Sequence, residues 1–184
     1  RPDAVEHLLW SGAAQRGTLR VGDSQRDVAA GECVALTGGL DSSVLLAALA
    51  RVRVRPLRAI HVDHGLHPDA TSWSAHSLAL AARCGVPCEI VRVNATAARG
   101  ESPEAAARVA RYAALAGRLS SGEALLTAHH GDDQLETVLL QWLRGGGLRA
   151  VAGMRPVALF ADGWRVRPLL GFTRNDLQDW ARGQ

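Results

Sequence analysis

A short run of small, hydroxyl-bearing and acidic residues joins two apolar segments of the chain: Thr37-Gly38-Gly39-Leu40-Asp41-Ser42-Ser43. Its two adjacent glycines let the backbone approach a ligand without a Cβ clash, and the free N–H groups of a helix's first turn attract anions. Together with three hydroxyl groups, these features predict a phosphate-binding loop. The alternative is a simple turn in which Asp41 caps the following helix.

A second polar cluster combines two histidines with three acids. Asp132 and Glu136 lie four residues apart and therefore share one face of a helix, with Asp133 beside them. Such carboxylates can receive a cation, either Mg²⁺ or the ammonium group of a substrate. A transition-metal site is disfavoured because His129 and His130, consecutive at a strand end, point to opposite faces. Acids that simply favour the positive end of a helix are the remaining alternative.

The basic residues are all arginine, 21 in total, with no lysine. The absence of lysine excludes a G-x-x-x-x-G-K-[ST] phosphate loop and any mechanism that needs a lysine nucleophile. Arg108, Arg111 and Arg144 are the candidate phosphate ligands, because a guanidinium can donate two hydrogen bonds to phosphate oxygens at once. Each of them, taken singly, is more often a solvated surface residue. The formal net charge of +3 is too weak to indicate nucleic acid by itself.

The elements that must position these residues alternate between strands and helices. Apolar runs predict strands at 32–36, 57–62, 88–93 and 124–128. Periodic segments with helix signals follow them at about 41–51, 69–84, 103–119 and 132–143. A hairpin over 157–166 and a helix over 175–181 come last. This alternation predicts an α/β fold with an open parallel sheet and helices on both faces, as in Rossmann-like proteins.

The polar clusters all follow strands of the predicted sheet. They occupy residues 37–43, 61–67 and 129–136. In open α/β sheets, ligands bind beyond the carboxyl ends of the strands, so we expect the three clusters to form one site.

Length and composition limit the remaining possibilities. A chain of 184 residues, 47% of them hydrophobic, suits one globular domain. We expect a helical or irregular segment at 1–30 ahead of a catalytic domain at 31–184. Three cysteines, an odd number, favour a reducing compartment, so we expect a cytoplasmic protein. The apolar stretches are far shorter than the ~20 residues of a membrane span, so no membrane partner is expected, and the oligomeric state is not indicated.

The loop resembles the SGGxDS signature of the PP-loop (N-type) ATP pyrophosphatases, with Thr37 in place of the usual first serine. Further blocks resemble one subfamily, the tRNA(Ile)-lysidine synthases: His61-Val62-Asp63-His64-Gly65-Leu66, Glu104-Ala105-Ala106-Ala107-Arg108, Thr127-Ala128-His129-His130-Gly131-Asp132-Asp133-Gln134, Leu143-Arg144-Gly145 and Arg167-Pro168-Leu169-Leu170. The resemblance covers roughly residues 31–181. It implies the adenine nucleotide alpha hydrolase-like fold, and it implies that the family's C-terminal RNA-binding regions would lie beyond Gln184.

The resemblance also implies a two-step reaction. ATP adenylates the C2 carbonyl oxygen of the wobble cytidine of tRNA(Ile), releasing pyrophosphate, and the amine of free L-lysine then displaces AMP. The loop would hold the pyrophosphate through Gly38, Gly39, Ser42 and Ser43. Asp41 would help to position Mg²⁺, which prefers carboxylates and phosphate oxygens. The adenosine would meet the end of the second strand at His61, Val62 and Asp63.

The acids would take part in the second step, and the arginines would bind phosphates. The side-chain amine of lysine has a reference pKa of about 10.4, so its neutral form costs about 4.6 kcal/mol at pH 7. We therefore expect Asp132, Asp133 and Glu136 both to bind lysine and to accept its proton. The family blocks favour Arg108 and Arg144 as the functional arginines.

Three other functions compete with this interpretation. A tRNA thiolase of the same loop family would carry a Cys-x-x-Cys pair, whereas Cys84 and Cys88 are four residues apart. A non-catalytic nucleotide-binding module would leave the acids unexplained. A PP-loop ligase that adenylates small carboxylates is disfavoured by the blocks after the second and fourth strands.

Overall fold

The computed structural model describes residues 13–15, 18–21, 24–27, 31–52, 56–65, 70–146 and 152–184. The strands in these ranges are β1 (Ala13–Gln15), β2 (Thr18–Val21), β3 (Ser24–Asp27), β4 (Glu32–Leu36), β5 (Leu57–Asp63), β6 (Cys88–Arg92), β7 (Ala124–Leu126), β8 (Val157–Phe160) and β9 (Gly163–Val166). The helices are α1 (Leu40–Arg51), α2 (Ala70–Arg83), α3 (Pro103–Ala116), α4 (Gly131–Leu143) and α5 (Arg174–Arg182). None of these helices is long and apolar enough to span a membrane.

Six strands form one sheet in the order β6-β5-β4-β7-β9-β8. Neighbouring strands are parallel, except that β8 and β9 form an antiparallel hairpin at one edge. The predicted α/β fold is therefore confirmed. The hairpin expected over 157–166 forms β8 and β9. Strand β9 pairs with β7, which therefore lies between β4 and β9.

The central strand β4 is buried on both faces, which explains its continuous apolar sequence. Val34 and Leu36 pack in a core that includes residues of α1, α2 and α5. Cys33 packs in the opposite core with Leu125 of β7 and Leu115 of α3. The two faces of the sheet are thus covered by different helices, with α3 alone contributing helix residues to the second core.

Local signals account for the positions of the helix starts. Ser102 has the extended backbone of an N-cap and Pro103 occupies the first helical position of α3. In α5, Thr173 Oγ1 accepts the N–H of Asp176 at 3.2 Å, while Asp176 Oδ2 accepts the N–H of Thr173 at 2.8 Å. The helices predicted to begin at about residues 103 and 175 therefore begin within one residue of those positions.

The N-terminal part of the chain differs from the expectation. Strands β1, β2 and β3 form a separate antiparallel sheet, so a helical or irregular conformation is wrong for these residues. In this sheet Val21 of β2 pairs with Ser24 of β3. Residues 1–12 lie outside the described residues, and the domain boundary at residue 31 stays a prediction.

Helix α4 is unusual because none of its residues is buried. Its apolar side chains are exposed, including Leu135 at 58% and Trp142 at 67%. Polar contacts hold the helix instead. The N–H of Gly131 donates to the carbonyl of Phe172 at 2.6 Å, and the side-chain amide of Gln134 exchanges two hydrogen bonds with the backbone of Met154, at 2.6 and 3.1 Å.

Candidate active site

The loop between β4 and α1 is shaped by its own hydroxyl groups. Ser42 Oγ accepts the N–H of Thr37 at 3.1 Å and donates to the carbonyl of Gly39 at 3.1 Å, and Ser43 Oγ donates to the same carbonyl at 2.8 Å. Gly38 has a left-handed φ of 80°, a conformation that favours glycine. The loop therefore holds its form through internal bonds, and the N–H groups of the first turn of α1 are available to an anion.

A cavity of about 180 Å³ opens at the end of β5, next to the loop. Thr37, His61, Val62, Asp63 and Trp73 are among its lining residues. The polar side chains of β5 are already engaged, because His61 Nδ1 lies 2.9 Å from the carbonyl oxygen of Leu36 and Asp63 Oδ1 accepts the N–H of Gly65 at 2.9 Å. A ligand here would thus meet mainly the backbone and apolar side chains of β5.

An adjacent cavity of about 150 Å³ connects the loop with helix α3. Thr37, Asp41 and Ser42 line one side, and Arg108 and Arg111 line the other. Thr37 and Arg111 line both cavities, so the two are contiguous. The structure thus places the loop and these two arginines of α3 around one cavity, and their role as phosphate ligands stays a prediction.

Arg111 already has a protein partner. Its Nε donates to His64 Nε2 at 3.2 Å. Burial, followed by the positive charge of Arg111, lowers the pKa of His64 below its ordinary value. A neutral His64 is the form that can accept this hydrogen bond, and the bond fixes Arg111 beside both cavities.

The buried imidazole of His130 gathers carboxylates from two elements. Its Nε2 lies 3.7 Å from Asp41 Oδ2 and 3.6 Å from Asp133 Oδ2, and its Nδ1 lies 3.5 Å from Asp132 Oδ2. His130 is 5% exposed. The imidazole thus joins the phosphate-binding loop to the start of α4, although the two are about 90 residues apart in the sequence.

The carboxylate of Asp41 fits the expectation that it binds Mg²⁺. Its Oδ1 atom is buried and has no hydrogen-bond partner, so a hard oxygen donor remains free next to the loop. Within the described residues, no group of three or more His, Cys, Asp or Glu side chains is arranged to hold a metal ion alone. Mg²⁺ commonly takes one or two carboxylates and completes its shell with substrate phosphates and water, which suits this arrangement.

The three acids of α4 have different surroundings. Asp132 Oδ2 accepts the N–H of Arg174 at 2.6 Å and so links α4 to α5. Asp133 Oδ2 accepts the N–H of His130 at 2.9 Å. Glu136 is exposed and has no hydrogen bond or ion pair with any described residue. Asp132 and Asp133 thus each accept a backbone N–H group already, and a cation-binding role for the three acids stays a prediction.

Arg144 lies apart from this cluster. It follows the last residue of α4, and a helix of 13 residues is about 20 Å long. Its side chain is exposed and lines neither cavity at the loop. The structure therefore brings Arg108 to the site but does not bring Arg144 to the acids, because the chain between them is one continuous helix.

Sequence reasoning missed two further contributions to the site. Ser77 of α2 places its Oγ 3.1 Å from His61 Nδ1, a contact that the helix pattern does not reveal. Arg165 of β9 and Arg167, which directly follows that strand, lie near His129, whose pKa falls to about 4 because of burial first and then the charge of Arg167. The block that begins at Arg167 was noted in the sequence, but nothing there gave the side chain a role.

Comparison with known proteins agrees with this geometry. The family model of the PP-loop domain matches residues 18–184. The tRNA(Ile)-lysidine synthase of Alkalilimnicola ehrlichii is 55% identical over 153 residues, which are 82% of this chain and 34% of that protein. The synthase of Pseudomonas aeruginosa is 48% identical, over 84% of the chain and 35% of the relative. The chain thus spans about a third of the length of these relatives.

Solved structures with low sequence identity share the fold. A U34-tRNA thiolase from Methanococcus maripaludis gives a TM-score of 0.71 at 16% identity and covers 97% of this chain and 61% of its own. The NMN synthetase of Francisella tularensis gives 0.60 at 11% identity, covering 99% of this chain and 68% of its own. The match of the PP-loop domain model over residues 18–184 shows that the chain belongs to the PP-loop domain family.

Proposed function

We propose that this chain is the ATP-dependent catalytic domain of a tRNA(Ile)-lysidine synthase, a ligase that joins free L-lysine to the wobble cytidine of tRNA(Ile). One observation carries the proposal. The buried His130 brings the loop residue Asp41 and the α4 acid Asp133 to within 3.7 and 3.6 Å of a single ring nitrogen. A phosphate-binding loop and a cation-binding acidic cluster are the two parts that the reaction needs, and similarity to lysidine synthases supplies the substrate class.

The first step is assigned to the loop and the two cavities. The adenosine occupies the cavity at β5, and the phosphates lie on the N-terminus of α1 at Gly38 and Gly39. The cytidine C2 oxygen attacks the α-phosphorus, and pyrophosphate leaves. Mg²⁺, held by Asp41 and the phosphates, supplies charge neutralisation when bound. Arg108, at the wall of the second cavity, donates to phosphate oxygens.

The second step is assigned to α4. The ammonium group of lysine binds Asp133 and Glu136, which lie three residues apart at the exposed start of the helix. A carboxylate takes one proton, the amine attacks C2 of the adenylated cytidine, and AMP leaves with the oxygen. Asp132 keeps α5 against α4 through the N–H of Arg174, and in this proposal it positions the other acids. Arg144, at the far end of α4, would contact RNA.

The thiolase alternative is weakened by the cysteines. None of the residues lining the two cavities at the loop is a cysteine. Burial raises the pKa of Cys33 to about 12, which leaves it a thiol at neutral pH. Cys84 and Cys88 pack against the apolar core on the α1 side of the sheet.

The proposal is tested by incubating the chain with ATP, lysine and unmodified tRNA(Ile). We expect AMP, pyrophosphate and a lysine-bearing cytidine detected by nucleoside mass spectrometry. The full-length Pseudomonas aeruginosa synthase is the positive control. Production of ADP and phosphate, or AMP formation that does not require tRNA, would reject the mechanism.

The division of labour among the acids needs separate variants. Asp133→Asn and Glu136→Gln should slow lysine transfer while ATP still adenylates the tRNA. Asp179→Asn, which removes an exposed acid of α5 paired with Arg182, is the matched control and should leave both steps unchanged. Unaltered lysine transfer in both α4 variants would refute their assignment.

A further inference from the structure

Two arginines stack on one aromatic side chain on the α3 side of the sheet, and a third lies near them. The guanidinium carbon of Arg165 lies 5.5 Å from the ring centre of Tyr112 and 5.9 Å from that of Phe160. Arg108 stacks over Tyr112 as well, at 5.2 Å. Arg167 lies two residues after Arg165, directly beyond the end of β9, and the charges of Arg165 and Arg108 both act on it. We call Arg108, Arg165 and Arg167 the arginine patch.

The arginine patch lacks compensating negative charge. No carboxylate in the part of the chain that the structure describes forms an ion pair with Arg108, Arg165 or Arg167. Arg167 is 5% exposed, and its Nη1 donates to the carbonyl of Arg155 at 2.6 Å. The Nε atoms of Arg165 and Arg167 are buried without a hydrogen-bond partner. Burial, and then the charge of Arg165, lowers the pKa of Arg167.

An arginine elsewhere on the same sheet shows what compensation looks like. Arg58 of β5 donates from Nε and Nη2 to the two carboxylate oxygens of Glu123, each at 2.7 Å. A buried cation without a partner is costly. We therefore expect a negatively charged group from outside the described chain to bind the arginine patch. Donors with no partner and no acid nearby are suited to an anionic ligand.

The position of the arginine patch favours RNA over the nucleotide. Arg108 lines the same cavity as Asp41 and Ser42, so the patch borders the site of reaction. Arg165 belongs to β9, two strands from β4, and Arg167 directly follows β9, which places both on the order of 10 Å to the side of the loop that would hold the ATP phosphates. Surfaces that bind single-stranded RNA typically combine arginines with aromatic side chains.

We propose that Arg165 and Arg167 bind a backbone phosphate of the substrate RNA next to the target nucleotide, while Arg108 serves the ATP phosphates. This inference rests on the proposed function, because that function makes RNA the substrate. The phosphate supplies the missing counter-charge and fixes the position of the RNA relative to the loop, while carrying no sequence information itself.

The test is RNA binding by the 184-residue chain, measured by fluorescence anisotropy with an unmodified anticodon stem-loop whose wobble nucleotide is cytidine. Arg165→Gln should weaken binding by roughly tenfold and lower the slope of log affinity against log salt by about 1, as expected for one lost phosphate contact. Arg165→Lys should restore most of the slope. Arg83→Gln, which removes an exposed arginine at the far end of α2, is the matched control and should change neither quantity.

Two further measurements distinguish a loss of RNA binding from a loss of folding or of ATP binding. Circular dichroism melts of each variant report whether the fold survives, and ATP affinity measured by calorimetry should change less than twofold in Arg165→Gln. Unchanged RNA affinity and salt slope in Arg165→Gln, or a loss confined to ATP binding, would overturn the inference. If the wild-type chain makes no lysidine while Arg165→Gln still loses RNA affinity, the proposed function fails and the phosphate site stands.

Discussion

The buried carboxyl of Glu32 allows a quantitative prediction of how the stability of the fold depends on pH. Glu32 opens the central strand β4, is 6% exposed, and its Oε2 has no hydrogen-bond partner. Burial raises its pKa from 4.5 to about 7. Glu123 directly precedes the neighbouring strand β7 and is also buried. Its carboxylate, however, is paired with Arg58 at 2.7 Å. The two acids should therefore respond oppositely to neutralisation.

The size of the expected change in the free energy of unfolding follows from the difference in proton binding between the folded and the unfolded chain. The unfolded chain releases the Glu32 proton near pH 4.5, whereas the folded chain keeps it until about pH 7. Between these values the folded state binds more protons, so the free energy of unfolding falls as the pH rises, and the loss is complete above about pH 7. A shift of roughly 2.5 pH units corresponds to about 3 kcal/mol. Glu32→Gln removes this loss.

The assay is urea unfolding of wild type and Glu32→Gln at several values between about pH 4.5 and pH 8. The variant should gain stability over wild type as the pH rises, reaching about 3 kcal/mol at the upper end. Glu123→Gln should instead destabilise the fold at neutral pH, because Arg58 loses its partner. A stability difference between Glu32→Gln and wild type that does not vary with pH would refute the reasoning.

Three other substitutions test separate contacts. Gly163→Ala should lower the free energy of unfolding by more than about 3 kcal/mol in urea titrations, because the new Cβ would collide with the carbonyl of Glu123. Gly38→Ala should weaken ATP binding in calorimetry while costing only about 1–2 kcal/mol of stability, since its left-handed φ disfavours alanine. Gln134→Ala should speed amide hydrogen exchange throughout α4, because both hydrogen bonds to Met154 are lost.

The order of elements could be predicted because each of them depends on nearby residues. The strands of a sheet covered on both faces are continuous apolar runs, so β4 and β5 stand out in the sequence. Helix starts follow from local chemistry such as Ser102-Pro103 and the Thr173–Asp176 pair. The phosphate-binding loop was predictable for the same reason, since its hydroxyls bond within seven residues.

The meeting of distant side chains could not be predicted in the same way. His130 reaches Asp41 only because β7 lies beside β4 in the sheet. Arg165 and Arg167 reach His129 only because β9 lies on the other side of β7. Strand order is a property of the whole sheet. The exposure of α4 was equally hidden, because the apolar spacing of Leu135 and Leu139 is the same for a helix that packs on a sheet and for one that does not.

The pairing of β4 with β7 also has a kinetic consequence. Glu32 lies opposite Ala124, so the two strands that carry the loop and the His130 cluster are 92 residues apart when they pair. Contacts of such high sequence separation form slowly, because the entropy of closing the intervening chain is lost first. ATP binding during refolding should therefore appear late, after β4, β5 and β6 have assembled. Bound nucleotide would stabilise the completed sheet by mass action, which links the proposed substrate to the last folding step.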